Sequence, residues 1–192
     1  MKKLILIFLI ILFNLSEILS QCLPDGITFS TQAQIDSFQI NYPNCSEIEG
    51  NVIIIGNDIT NLNGLNGLTS IGMDLSIGDF FGDGNPRLVN LIGLENLTSI
   101  GRNLSCSHND SLVNFAGLEN LIKIEDGLWI HFNSSLKNLI GLSNVTTIEY
   151  HLEIGGNDSL ETSSRQTLCN AAACAVGSIP VTWQNFLPAL NP

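Results

Sequence analysis

The chain has 192 residues, 44% of them apolar, 13% charged and 7% aromatic, with 18 acids against 7 bases. A net charge of −11 repels phosphate backbones and argues against a nucleic-acid partner, while the apolar fraction is too high for a disordered chain. The length suits one domain with a sizeable core, and 17 glycines beside abundant Asn, Leu, Ile and Ser point to many short strands and tight turns.

In chain order, Lys2 and Lys3 precede an almost unbroken apolar run from Leu4 to Leu15 and then the polar Ser16-Glu17, the layout of a secretory signal peptide. The run is shorter than the roughly 20 residues of a bilayer-spanning helix, so no transmembrane segment is expected in the mature chain. Cleavage is expected near Ser20 or Gln21, which makes residues 1–20 the signal. Leu19-Ser20-Gln21 lacks the small residue that precedes an acylated cysteine, so Cys22 is not read as a lipid anchor. Without Lys2, Lys3 and Glu17 the remainder has 5 bases and 17 acids, a formal charge of −12.

Export permits disulfides. Cys22 and Cys45 bracket a segment in which Ala33, Ile35, Phe38 and Ile40 line one face of a short helix starting at Ser30 or Thr31. A bridge there would close a loop worth roughly 3 kcal/mol in the chain-entropy model. Cys169 and Cys174 lie in a second helix-like stretch, close enough to pair locally. Cys106 is left over.

The middle of the chain repeats. Gly64-Leu65, Gly93-Leu94, Gly117-Leu118 and Gly141-Leu142 stand 29, 24 and 24 residues apart, and Ile71, Ile100, Ile124 and Ile148 take the same steps. The unit is 24 residues with one five-residue insertion. Strand pairs follow at Val52 and Ile54, Leu75 and Ile77, Leu104 and Cys106, Leu128 and Ile130, and Leu152 and Ile154. Cys106 stands where the other copies have Ile, as a small buried apolar residue. Period-2 alternation within the repeat reads as short strands stacked coil on coil. Asparagine marks the corners in three columns: Asn57, Asn85, Asn109, Asn133 and Asn157; Asn61, Asn90, Asn114 and Asn138; and Asn96, Asn120 and Asn144. An Asn amide can bond the next one along such a stack. The expected fold is all-β, a short right-handed parallel β-helix, leucine-rich-repeat-like, of four to five coils of about 24 residues. The segment from Cys22 to Cys45 and that from Ser163 to Ala173 are placed to cap its ends as short helices.

The stretch from Asn44-Cys45-Ser46-Glu47-Ile48-Glu49-Gly50-Asn51 to Ile54, with the repeated Leu-Thr-Ser-Ile-Gly and Asn-Leu-x-Ile steps, resembles the receptor L domain. That family is the leucine-rich β-helical module of insulin and epidermal growth factor receptor ectodomains. The opening Cys22-Leu23-Pro24-Asp25-Gly26-Ile27-Thr28-Phe29 is closer to the version in secreted proteins of Bacteroidetes bacteria. The resemblance covers Cys22 to about Cys174 and places the domain at 21–176. It implies a non-catalytic extracellular binding or scaffold module, without a cofactor, at the cell surface or beyond it, whose partner is a protein or glycan. The receptor family's ligand-contacting residues have no match here. Ile179 to Phe186 resembles the start of a following sandwich module, which makes 177–192 a tail or the start of a truncated module.

The alternation turns Ile53 and Ile55, Ser76 and Gly78, Ser105 and Ser107, Trp129 and His131, and Glu153 and Gly155 outward. Trp129, flanked by Ser105, His131 and Glu153, is the candidate for stacking on a sugar or anchoring a protein. Phe132 and the insertion residues Phe80 and Phe81 are expected to join its patch; the competing expectation is that Trp129 packs under the insertion or a neighbouring loop. Asp79, Asp83 and Asn85 in the insertion are weak candidates for calcium, with a spacing that matches no standard calcium loop. His108, His131 and His151 fall in different columns and give no pattern for zinc.

Two other function classes remain. A β-helical polysaccharide-active enzyme would need paired carboxylates, and Asp58, Asp110 and Asp158 recur in one turn column. There they alternate with Pro86 and Ser134, as solvated turn residues do. An ice-binding surface would use the columns Thr69-Ser70, Thr98-Ser99 and Thr146-Thr147, which Ile122-Lys123 interrupts. Seven mature Asn-x-Ser/Thr sites, Asn96 and Asn144 among them, follow the repeat register.

Overall fold

The computed structural model describes residues 21–161, 163 and 181–184. The signal expected at residues 1–20, Cys169 and Cys174, and nearly all of the helical cap expected from Ser163 to Ala173 lie outside the described residues. Two all-parallel sheets form the walls of a β-solenoid. The six-stranded sheet contains β1 (Gln21–Cys22), β3 (Glu47–Ile48), β5 (Ser70–Ile71), β7 (Ser99–Ile100), β9 (Lys123–Ile124) and β11 (Thr147–Ile148). The seven-stranded sheet contains β2 (Ile27–Phe29), β4 (Val52–Ile54), β6 (Leu75–Ile77), β8 (Leu104–Ser107), β10 (Gly127–His131), β12 (His151–Gly155) and β13 (Val181–Gln184). Six successive coils each give one strand to each sheet, against the four to five expected. The additional coil comes from β1 and β2, which lack the repeat signature. Val181–Gln184, which sequence assigned to the tail, pairs in parallel with β12.

Register follows the ladders of the sequence. Leu75 pairs with Leu104, Leu104 with Leu128, and Leu128 with Leu152, and all are buried. The Ile71, Ile100, Ile124 and Ile148 ladder is buried in the same way. Cys106 occupies its Ile position fully buried, and burial pushes its thiol up to about 12 despite a bond from Asn109. The glycines before the leucine column are required by geometry. Gly93, Gly117 and Gly141 have φ of 114°, 112° and 105°, and a Cβ on any of them would strike a carbonyl of the coil before.

The N-terminal end is covered by two one-turn helices, α1 (Gln32–Asp36) and α2 (Phe38–Asn41). Thr31 caps α1: its hydroxyl accepts from Gln34 N–H, and Gln34 Oε1 accepts from the Ser30 and Thr31 amides. Ile35 and Phe38 are buried, and Phe38 meets Phe29 edge-on at 5.6 Å. Ala33 and Ile40, expected on the same face, are exposed. The chain breaks at Ser37, so one helical period does not run through the segment. Gln32 Oε1 accepts from the Thr60 and Asn61 amides and so covers the adjoining coil. Cys22 and Cys45 form the expected disulfide, with Cα atoms 5.6 Å apart.

The three asparagine columns do different work. Only the first is an amide ladder, and it starts at Asn85. The Oδ1 of Asn109 accepts from Asn85 Nδ2 at 2.9 Å, that of Asn133 from Asn109 at 3.2 Å, and that of Asn157 from Asn133 at 3.1 Å. Each Oδ1 also takes the backbone amide of the preceding coil. Asn57 is exposed and off the ladder: the residue before it, Gly56, holds the ladder position and donates its amide to Asn85 Oδ1. The second column closes local turns, each Oδ1 accepting the amide two residues on, as Asn90 does from Ile92. The third donates to carbonyls of the previous coil. A fourth column, unrecognised in the sequence, runs at the corner before the larger sheet: Asn51 accepts from Asp74 N, Asp74 from Asn103 N, and Asn103 from Gly127 N.

Candidate functional site

The outer face of the seven-stranded sheet carries two rows that run across the strands. The first is Thr28, Ile53, Ser76, Ser105, Trp129 and Glu153, each in register with the next. Trp129 is half-buried, and its ring lies along the strand over Gly127. A Cβ on Gly127 would sit 2.5 Å from the ring's Cη2 and 2.8 Å from Cζ3. The equivalent positions in the other coils are Gly26, Asn51, Asp74, Asn103 and His151, so the tryptophan's coil has glycine where its two neighbours have Asn103 and His151. On the next strand His151 lies beside the indole, ring centroids 5.9 Å apart and planes 32° apart. The result is a flat aromatic platform, with Ser76 and Ser105 as low ground on one side and the Glu153 carboxylate on the other.

The second row, two residues further along the strands, contains Ser107, His131 and Gly155. Alternation turns these residues outward as expected, but they are not exposed: Ser107 is 0% and His131 4% accessible. The insertion covers them. Phe80 meets the His131 ring edge-on at 5.6 Å and Phe132 at 5.9 Å, and Phe132 stacks on His108 at 5.0 Å. Phe132 and Phe80 therefore gather on His131, one row away from Trp129, and Phe81 is 95% exposed at the loop tip. Among the described residues the ring contact of Trp129 is with His151.

His131 is held neutral by burial, which lowers its pKa against the opposing pull of Glu153, with His108 lowering it further. Its Nε2 lies 3.5 Å from Glu153 Oε1, and neither ring nitrogen has a hydrogen-bond partner. Ser107 Oγ is likewise unpartnered. A buried polar group left unpaired costs about 1–3 kcal/mol.

No family model, curated protein or solved structure matches the chain. Its own geometry has to carry the functional reading.

The calcium candidates do not converge. Asp79 Oδ1 accepts the amides of Phe81, Gly82 and Asp83, which closes the turn, and Asn85 is buried in the ladder. Asp110 accepts from the Ser134 hydroxyl, and Ser134 separates it from Asp158 in the turn column. The Thr69, Thr98 and Thr146 hydroxyls donate to carbonyls of the preceding coil. Among the described residues no helix is long and apolar enough to cross a membrane. Of the Asn-x-Ser/Thr sites, Asn109, Asn133 and Asn157 are buried. The signal that sequence reading passed over was the glycine at 127, two residues before Trp129 on the same strand.

Proposed function

We propose that the protein is a secreted, non-catalytic binding module that recognises a protein or glycan through the outer face of its seven-stranded sheet. The Trp129 platform carries this reading. An indole laid flat by the glycine beneath it, next to a second ring and a carboxylate, offers the apolar face and polar rim that anchor a sugar or a partner side chain. The Cys22–Cys45 disulfide supports an oxidising compartment. The receptor L-like pattern of the repeat supports a display role, with the solenoid holding the platform on a rigid wall.

A screen of the protein against surface glycans and extracellular proteins tests the reading. A ligand is expected whose binding falls at least tenfold in Trp129→Ala. No ligand in such a screen, or normal binding by the variant, overturns the assignment of this face. Cleavage of a polysaccharide by the wild type would move the protein to the enzyme class.

A further inference from the structure

Ser107 and His131 stand side by side in register on β8 and β10, buried, and neither side chain has a hydrogen-bond partner. Native proteins leave few such groups, and two adjacent ones on a single sheet face form a defined polar patch. Neither flank adds a side chain to the row: Gly155 pairs with His131, and Gly78 stands at the position corresponding to Ser107 one coil earlier, both of them buried.

The roof over this patch belongs to the insertion, which occurs in one coil only. Phe80 provides its packing contact on His131 and Phe132 while remaining 60% exposed. The rest of the loop is bonded mainly to itself. The Asp79 carboxylate accepts three loop amides, and Asp79 N–H donates to the Asp83 carbonyl at 2.7 Å. The turn from Asp79 to Asp83 is tied to the next coil by one bond, from His108 Nδ1 to the Asp79 carbonyl at 2.8 Å, while Asn85 at its foot stays anchored in the ladder. Such a turn can lift as a unit when the Phe80 contact is replaced, without unmaking its internal bonds.

Glu153 joins the covered row to the open one. It is in register with Trp129, and its Oε1 lies 3.5 Å from His131 Nε2. The two rows are about 6.6 Å apart at the rise of a parallel strand, close enough for neighbouring units of one extended ligand.

We propose that the insertion is a lid over a second subsite of the sheet face, where an uncharged, hydroxyl-rich ring, one sugar of a neutral glycan, enters beneath Phe80 and supplies the missing partners of Ser107 and His131. The proposal rests on the reading of the Trp129 face as a binding surface. Sugar hydroxyls both donate and accept, which suits a serine hydroxyl, a neutral imidazole and a carboxylate at once. An anionic sugar would face the Glu153 carboxylate, while Arg102 lies 3.8 Å from Asp74 and Lys123 is paired with Glu125.

The test is calorimetric titration of the full chain with hexasaccharides of β-linked glucose and of β-linked N-acetylglucosamine, with the imidazole signals of His131 followed by NMR. Binding at least threefold tighter is expected in Phe80→Ala, which removes the lid contact. Binding at least fivefold weaker is expected in Ser107→Ala, with no fall in thermal midpoint, because the hydroxyl lost had no partner. The His131 ring signals should shift on saturation. If binding depends on Trp129 while both lid and serine variants bind as wild type, the subsite is wrong and the sheet-face reading stands. If Trp129→Ala binds normally while Ser107→Ala is weakened, Trp129 is not the anchor and the face binds through the subsite alone. A water molecule bridging Ser107 and His131 in a structure of the sugar complex overturns the subsite, and no binding of either hexasaccharide overturns this choice of ligand.

Discussion

Gly127 and Trp129 stand two residues apart on one strand, and the indole fills the space that a side chain at position 127 would need. Gly127→Ala should therefore tilt the ring off the sheet without removing it. An aromatic contact of this kind is worth about 0.5–1.5 kcal/mol, so ligand affinity should fall roughly two- to tenfold. Folding stability should change by less than about 1 kcal/mol. Titration paired with urea denaturation separates the two, and unchanged affinity would mean that the orientation of the ring is irrelevant.

The asparagine ladder gives a sharp contrast between two residues that look alike in sequence. Asn133 donates to the Cys106 and His131 carbonyls and accepts from the Asn109 amide. Asn133→Ala strips these buried groups of partners and should cost about 3 kcal/mol at roughly 1 kcal/mol for each lost bond. Asn57→Ala, at an exposed position off the ladder, should stay within about 0.5 kcal/mol. Equal losses in urea denaturation would contradict the assignment of the ladder.

Acidification should weaken the fold through His131. Burial lowers its folded-state pKa below the ordinary value of 6.5, so the unfolded chain takes up the proton more readily. The resulting stability is complete above pH 6.5 and is lost as pH falls below it. Glu153 opposes the shift and His108 reinforces it. Chemical denaturation between pH 5 and 8, a window of about three pH units around the imidazole range, should show a steeper acid loss for wild type than for His131→Leu. Parallel curves would remove His131 as the source.

Reduction of the Cys22–Cys45 bridge should lower stability by roughly 3 kcal/mol, the value for a loop of this size in the chain-entropy model. In the native protein Cys106 should resist alkylation, since it is buried with a thiol pushed up to about 12. Mass spectrometry of the Cys106 peptide, before and after unfolding, checks this directly.

Much of the architecture is legible in one dimension because a solenoid converts sequence period into spatial neighbourhood. Leu104 and Leu128 are 24 apart and touch for that reason. Alternation also places Trp129 and Glu153 on one outer face in register. What sequence could not supply is how the face is covered. His131 has the same parity as Trp129, yet it is buried, because a five-residue insertion two coils earlier folds across it. Asn57 stands one residue past the ladder position, which Gly56 fills with its backbone amide, and a repeat of side chains does not reveal a rung supplied by the backbone. Ile40 failed for a local reason, the break in helix direction at Ser37.

The amide column also has a direction. Asn109 Oδ1 receives donors from Asn85, Asn133 Oδ1 from Asn109, and Asn157 Oδ1 from Asn133. Each ladder amide is thus accepted by the coil that follows it in the chain, and at the last rung Asn157 Nδ2 donates back to the Ile130 and Gly155 carbonyls. A whole 24-residue unit inserted or removed between Asn85 and Asn157 therefore keeps the donor-to-acceptor order of the column, so the repeat number can change while the first and last rungs stay the same.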